Sequence, residues 1–200
     1  MAPVVRLLRP ADVPACLALS GEAGWNQTSE DWLELLKEAP DGCFGIDSDG
    51  ELAATTTAIC YGSTLAWIGM VLTMSRCRRR GFASALMDHT LQFLERKQVA
   101  WIKLDATDLG RPVYQRFGFE DECPVERWLR PGTPAVAFPP QSRVLAGGFA
   151  RGRPGSVAAY FGPCDAASPA IVRELIGTCC PTTGTRFRSR RGTASRPRES

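Results

Sequence analysis

An α+β domain with a mixed central sheet flanked by helices is the fold this sequence predicts, and three observations predict it. No charged residue interrupts Leu52–Ser75. The β-branched residues Thr55, Thr56, Thr57, Ile59, Ile68 and Val71, placed on either side of Gly62-Ser63, describe two strands joined by a turn. Beyond them Ala83, Leu86, Met87, Leu91 and Leu94 lie on one helical stripe. The apolar run Trp101–Leu104 follows that helix, so strand, helix and strand make a βαβ unit.

The elements follow in order. Val4–Leu8 is a short apolar run suited to a strand, and Pro10-Ala11-Asp12 opens a helix carrying Val13, Cys16, Leu17 and Leu19. Gly21–Gln27 is a loop that holds Trp25 and Asn26. Thr28 with Asp31 three residues on has the form of a capping box, with Asp in place of the usual Glu. The helix behind it sets Trp32, Leu35 and Leu36 on one face and stops at Pro40-Asp41-Gly42. Strand Cys43–Asp47 turns at Ser48-Asp49-Gly50 into Leu52–Tyr61, which turns at Gly62-Ser63 into Leu65–Thr73. A basic loop, Ser75–Arg80, leads into the helix from Gly81 to Arg96, whose stripe Phe82 and Phe93 widen as a helix pressed on a sheet requires. Strand Trp101–Leu104, a short helix over Pro112–Phe117 and a strand over Phe119–Trp128 complete the series. The predicted order is therefore strand, two helices, three strands, helix, strand, helix, strand.

After Trp128 the composition changes. Residues 1–130 form the predicted domain, and the prolines of residues 131–141 form a linker. Residues 142–180 hold two short strands, Ser142–Gly148 and Val157–Phe161, and a helix over Ala167–Ile176. Residues 181–200, rich in Thr, Ser, Gly and Arg, are expected to be disordered.

Composition narrows the function classes. An apolar fraction of 44% over 200 residues supports a packed core. The net charge of +3 does not by itself mark a nucleic-acid binder. Arg186, Arg188, Arg190, Arg191, Arg196 and Arg198 sit in the tail, so the rest of the chain is slightly acidic. None of the eight cysteines forms a C-x-x-C pair and His89 is the single histidine, so no metal site is expected. Met1–Pro14 has no apolar leader core, which points to reduced thiols and a cytoplasmic location. Leu52–Ser75 is long enough to suggest a membrane span, but its β-branched content and central turn argue for the hairpin instead.

The most informative residues are Arg78-Arg79-Arg80-Gly81-Phe82-Ala83, set between a strand and a helix. A helix start exposes unpaired N–H groups and the positive end of the macrodipole, which together suit a phosphate or diphosphate. Gly81 and Ala83 are small enough for amides to approach phosphate oxygens, and the arginines add bidentate donors. A solvated basic loop ahead of a surface helix would read the same way at this level.

Ile68-Gly69-Met70-Val71-Leu72-Thr73, the R-x-x-G-x-A loop and the helix after it resemble motif A of the GNAT N-acetyltransferase superfamily. Leu104-Asp105-Ala106-Thr107 and Gly110-Arg111-Pro112-Val113-Tyr114-Gln115-Arg116-Phe117-Gly118-Phe119 resemble its motif B, and the two stand in the family's order. The resemblance covers about Val4–Arg130. It implies a GNAT-like sheet and acetyl-CoA as co-substrate, with its diphosphate on the amides of Arg78 to Ala83 (Arg78, Arg79, Arg80, Gly81, Phe82, Ala83). It also implies that the pantetheine arm pairs with the backbone of Met70, Val71, Leu72 and Thr73, and that Tyr114 lies near the CoA sulfur. Many members have Gly at the position of Arg79, Asn at that of Thr107 and Ala at that of Gly110; Thr107 retains one donor. Arg153–Pro163 resembles part of the second, degenerate acetyltransferase-like domain that some bacterial members carry, here incomplete.

The activity implied is acetyl transfer to a primary amine of a small molecule or peptide, by direct attack in a ternary complex. Tyr114 is the candidate general acid, and a half-buried packing tyrosine is the alternative. Glu30, Asp31, Glu34, Asp105, Glu120 or a water remain open as the base. Trp25 and Asn26 border the acceptor side in this family, although Trp25 also suits a core position. Cys77 lacks a base partner and reads as inert, and His89 as structural. Two rivals stand beside this reading: a non-catalytic CoA-binding module or impaired paralogue, and a nucleic-acid contact by the tail, which is not expected. A homodimer is left open.

Overall fold

The computed structural model describes residues 3–123, 141–156 and 160–179. Two compact units divide the chain. The first holds strand β1 (Val5–Leu7), a 3-10 turn (Pro10–Asp12), helices α1 (Val13–Glu22) and α2 (Ser29–Glu38), and strands β2 (Cys43–Ser48), β3 (Glu51–Tyr61) and β4 (Leu65–Thr73). After a second 3-10 turn (Ser75–Cys77) come helix α3 (Phe82–Arg96), strand β5 (Trp101–Leu104) and helix α4 (Arg111–Gln115). Its sheet runs β1-β2-β3-β4-β5, antiparallel except for the parallel pair β4–β5. This is the mixed α+β sheet that the sequence predicts.

Local chemistry accounts for the elements. The Thr28 hydroxyl accepts from Asp31 N–H at 3.3 Å and Asp31 Oδ2 accepts from Thr28 N–H at 2.8 Å, a reciprocal capping box at the start of α2. Asp49 and Gly50 have φ of 56° and 81°, the pair of positive values that a tight turn between twisted strands requires. Helix α3 buries Phe82, Leu86, Met87, Thr90, Phe93 and Leu94 against Phe44, Ile46, Ala58 and Ile68 on one face of the sheet. Helices α1 and α2 pack on the other face through Cys16, Leu19, Trp32 and Leu36 with Cys43, Leu52 and Leu72. The buried Trp32 Nε1–H donates to Ser20 Oγ at 3.0 Å, so the ring enters the core with its polar atom satisfied. Burial pushes the Cys16 and Cys43 thiols up to about 12, which keeps both protonated and inert.

The charge-free stretch Leu52–Ser75 forms the β3–β4 hairpin, and among the described residues no helix is long and apolar enough to cross a membrane.

Two expectations need correction. The first is the strand over Phe119–Trp128: its described part, 119–123, joins no ladder, and the rest lies outside the described residues. Side chains hold that part instead. Phe119 packs edge-on against Tyr114 with ring centroids 6.3 Å apart, Asp121 pairs with Arg111, and Glu122 accepts from Lys103 Nζ at 2.6 Å. The second concerns the other unit, which has three strands rather than two. Strands β6 (Gln141–Leu145), β7 (Gly148–Arg153) and β8 (Tyr160–Ala166) form an antiparallel sheet, followed by helix α5 (Pro169–Cys179). Strand β7 has the sequence GFARGR, whose glycines and charges hide the strand pattern. Ala150 and Leu175 are buried there among Leu145, Phe161, Ala166 and Ile171. The expected linker, apart from Gln141, and the expected disordered tail fall outside the described residues.

Candidate active site

The site begins with a defect in the sheet. Strands β4 and β5 pair from Leu65–Trp101 to Ile68–Leu104, where β5 ends. Strand β4 continues to Thr73, so its β5-facing edge from Gly69 onward has no ladder partner among the described residues. A bulge at the same place shifts the β3–β4 register between Thr55 and Thr57, and Met70 takes φ 48°. The Thr55 hydroxyl donates to the Met70 carbonyl at 2.8 Å, which ties the bulge to β3.

The loop from Met74 to Gly81 then enters α3. Gly81 has φ 83°, with open space where a Cβ would stand, so the backbone conformation and not crowding demands glycine. The Ala85 N–H makes the first helical bond, to Gly81 O at 2.9 Å. The amides of Phe82, Ala83 and Ser84 precede it and have no intrahelical acceptor. Most arginines of the loop are engaged. Arg76 pairs with Glu51, and Arg78 Nε donates to Thr73 O at 3.4 Å. Arg80 lies over the Phe82 ring at 4.9 Å with Nη1 3.7 Å from Cys77 Sγ. Arg79 holds φ 60° and has no such partner among the described residues. Glu22, at the end of α1, accepts from Ser75 N–H at 2.7 Å, and that bond, with Arg78 and Arg76 nearby, holds its carboxyl below the usual range.

Helix α4 supplies the opposite wall. Tyr114 is 7% exposed, and burial pushes its hydroxyl above the ordinary tyrosine value. A Cβ at Gly110 would meet Tyr114 Cε2 at 2.8 Å, so the ring lies directly on this glycine. Thr107 Oγ1 accepts from Gly110 N–H at 3.2 Å, which fixes the turn into α4 and leaves the hydroxyl proton as a donor.

These parts surround one cavity of about 780 Å³. Of the residues singled out from the sequence, the structure brings Trp25, Val71, Leu72, Thr73, Arg78, Arg79, Gly81, Phe82, Ala83, Thr107 and Tyr114 to its wall. Met70, Arg80 and Asn26 are not on the wall: the bulge turns Met70 toward Thr55, and Arg80 folds onto Cys77 and Phe82. Trp25 is wall and core at once, packed with the α1–α2 cluster. Asp105 is on the wall; Glu30, Asp31, Glu34 and Glu120 are not. Sequence reasoning missed Glu22 and Arg116, both on the wall. Arg116 stood within the motif quoted above, whereas nothing local marks Glu22. Among the described residues no three His, Cys, Asp or Glu side chains gather as a metal-binding group.

Residues 12–119 match the family model described as the acetyltransferase (GNAT) family. The chain belongs to the GNAT acetyltransferase family. Membership assigns this GNAT protein to acyl transfer from acetyl-CoA. Solved structures share its fold. A Pyrococcus horikoshii protein with a provisional acetyltransferase assignment is 21% identical, covers 88% of this chain and 75% of its own, with a TM-score of 0.68. Glucosamine-6-phosphate N-acetyltransferase from Arabidopsis thaliana is 16% identical over 64% of this chain and 99% of its own, with a TM-score of 0.53. Rv2747 from Mycobacterium tuberculosis, solved in complex with CoA and NLQ, is 24% identical over 68% of this chain and 77% of its own, with a TM-score of 0.51. No curated protein matches this GNAT chain significantly. The residues present fit coenzyme A: among the described residues, the first amides of α3 have no acceptor, space stands beside Gly81, and the edge of β4 is uncovered where β5 stops.

Proposed function

We propose that this chain moves the acetyl group of acetyl-CoA to a primary amine of a small molecule or peptide by direct attack in a ternary complex. The observation that carries the reading is the meeting of three features on one cavity: the free β4 edge at Val71–Thr73, the α3 opening at Gly81–Ala83, and Tyr114. Bound acetyl-CoA would supply an activated thioester. The amides of Phe82 and Ala83, with the Arg78 side chain, hold its diphosphate. The edge of Val71, Leu72 and Thr73 orients the pantetheine arm, and a backbone N–H of that segment polarises the carbonyl.

Tyr114 donates its hydroxyl proton to the departing sulfur. That hydroxyl, whose ionisation burial pushes upward from the ordinary tyrosine value, carries its proton at neutrality. Of the wall carboxylates, Asp105 takes the amine proton, directly or through water, because Glu22 is committed to Ser75 N–H. Trp25 and Leu109 shape the acceptor side. The reaction is placed in the cytoplasm, where thiols such as Cys16, Cys43 and Cys77 stay reduced.

A panel of amines incubated with acetyl-CoA and the full chain, read by mass spectrometry for an added acetyl group and by thiol release, tests the activity. Acetylation lost in Tyr114→Phe supports it. Coenzyme A binding without turnover on any amine supports the non-catalytic module instead.

A further inference from the structure

We infer that Arg79 recognises the 3′-phosphate of coenzyme A and so sets the preference of this site for the complete cofactor over its dephospho form. The inference rests on the cofactor reading above and deepens it.

Arg79 stands on the cavity wall with its side chain exposed, as Arg78 does, and differs from its neighbours in two respects. Its guanidinium has no hydrogen-bond, ion-pair or ring partner among the described residues, whereas Arg76 pairs with Glu51, Arg80 lies against Cys77 and Phe82, and Arg78 is anchored through Nε to Thr73 O with its Nη groups left for the diphosphate. Its backbone holds φ 60°, a conformation in which only glycine is at ease. A loop that needed only to turn here would be better served by glycine. A side chain kept against the preference of its own backbone, with no partner among the described residues, points to a group on a ligand.

That group is an anion, since a guanidinium presents five donors and no acceptor. The diphosphate already has the α3 amides, the helix dipole and Arg78. Coenzyme A carries one more doubly charged group, the phosphate on its adenosine ribose, and a planar guanidinium matches phosphate oxygens with two parallel bonds.

Isothermal titration of the full chain with coenzyme A and with 3′-dephospho-coenzyme A, at about 0.1 M salt, tests this. The wild-type chain is expected to bind coenzyme A about tenfold more tightly, the scale of an exposed charge-assisted contact. Arg79→Gly is expected to bind both forms alike, with the affinity that wild type has for the dephospho form, and Arg79→Lys to keep part of the preference. Raising the salt should shrink the preference in wild type and in Arg79→Lys, and Arg79→Gly should show none to shrink. Equal binding of the two forms by wild type overturns the inference, and so does an equal loss for both forms in Arg79→Gly, which would place Arg79 on the diphosphate. Failure of wild type to bind either form overturns the cofactor reading, and this inference with it.

Discussion

At the scale of single residues, two side chains on the cavity wall have stability and activity consequences that separate. The left-handed backbone of Arg79 costs a non-glycine residue about 1–2 kcal/mol. Glycine at that position would regain this, less about 0.4–1 kcal/mol for the added freedom of the unfolded chain. Arg79→Gly should therefore raise stability by about 0.5–1 kcal/mol in urea unfolding, whereas Arg79→Ala, which keeps the Cβ, should give no gain. Tyr114 works in the other direction. Its hydroxyl is buried against Gly110 and pushed up by that burial, so it ionises only at alkaline pH. Tyr114→Phe should lower kcat by about 100-fold, the lower end of the effect of a positioned acid, with the KM for acetyl-CoA little changed. The wild-type rate should fall at high pH as the hydroxyl loses its proton, and the variant should lack that alkaline fall; a variant profile that keeps it would remove Tyr114 from the chemistry.

Between elements, charge ties β1, the turn before α1 and β2 into one corner. Arg6 donates to Asp12 from Nη1 and Nη2 at 2.8 and 2.9 Å, and to Asp47 from Nε at 2.6 Å. The bond from Arg6, with a further one from Arg9 N–H, holds the Asp12 carboxyl below its ordinary value of 3.8. A carboxylate depressed in the folded state contributes stability above its unfolded value and loses it as the pH falls through the folded one. Asp12→Asn should therefore cost about 1 kcal/mol near pH 7, given the partial exposure of the pair, and the gap from wild type should narrow as the pH falls below 3.8; urea unfolding near neutrality and in acid checks it. None of this corner was legible beforehand, because Arg6 and Asp47 lie 41 residues apart. What could be read was local: the hairpin from its unbroken apolar run, α3 from its stripe, the α2 cap from Thr28 and Asp31, and the phosphate loop from Gly81. The bulge that turns Met70 away, and the reach of Glu22 to Ser75 across 53 residues, belong to the tertiary fold. Strand β7 was hidden for a different reason: its glycines and arginines carry no β pattern of their own, and only pairing on both sides makes it a strand.

At the scale of the molecule, the two units differ in how much they bury. The first has helices on both faces of a five-stranded sheet, with large side chains such as Trp32, Ile46, Leu86, Met87 and Leu94 fully enclosed. In the second, among the described residues, only Ala150 and Leu175 reach that state, beneath three strands and one helix. A small sheet with one helix buries a smaller share of its surface than a two-layered one, and its local opening free energy falls accordingly. Amide hydrogen exchange should follow this order. Protection should be longest for Thr55–Ala58 in β3 and Leu86–Leu94 in α3, while β6, β7, β8 and α5 exchange at conditions where those cores remain closed. Coenzyme A should lengthen protection around Val71–Thr73 and Phe82–Ser84 and leave α5 unchanged, because a ligand stabilises the state that holds it. Exchange of α3 and α5 at a common rate, with or without the cofactor, would mean that the chain opens as one cooperative body and that the second unit draws its stability from the whole.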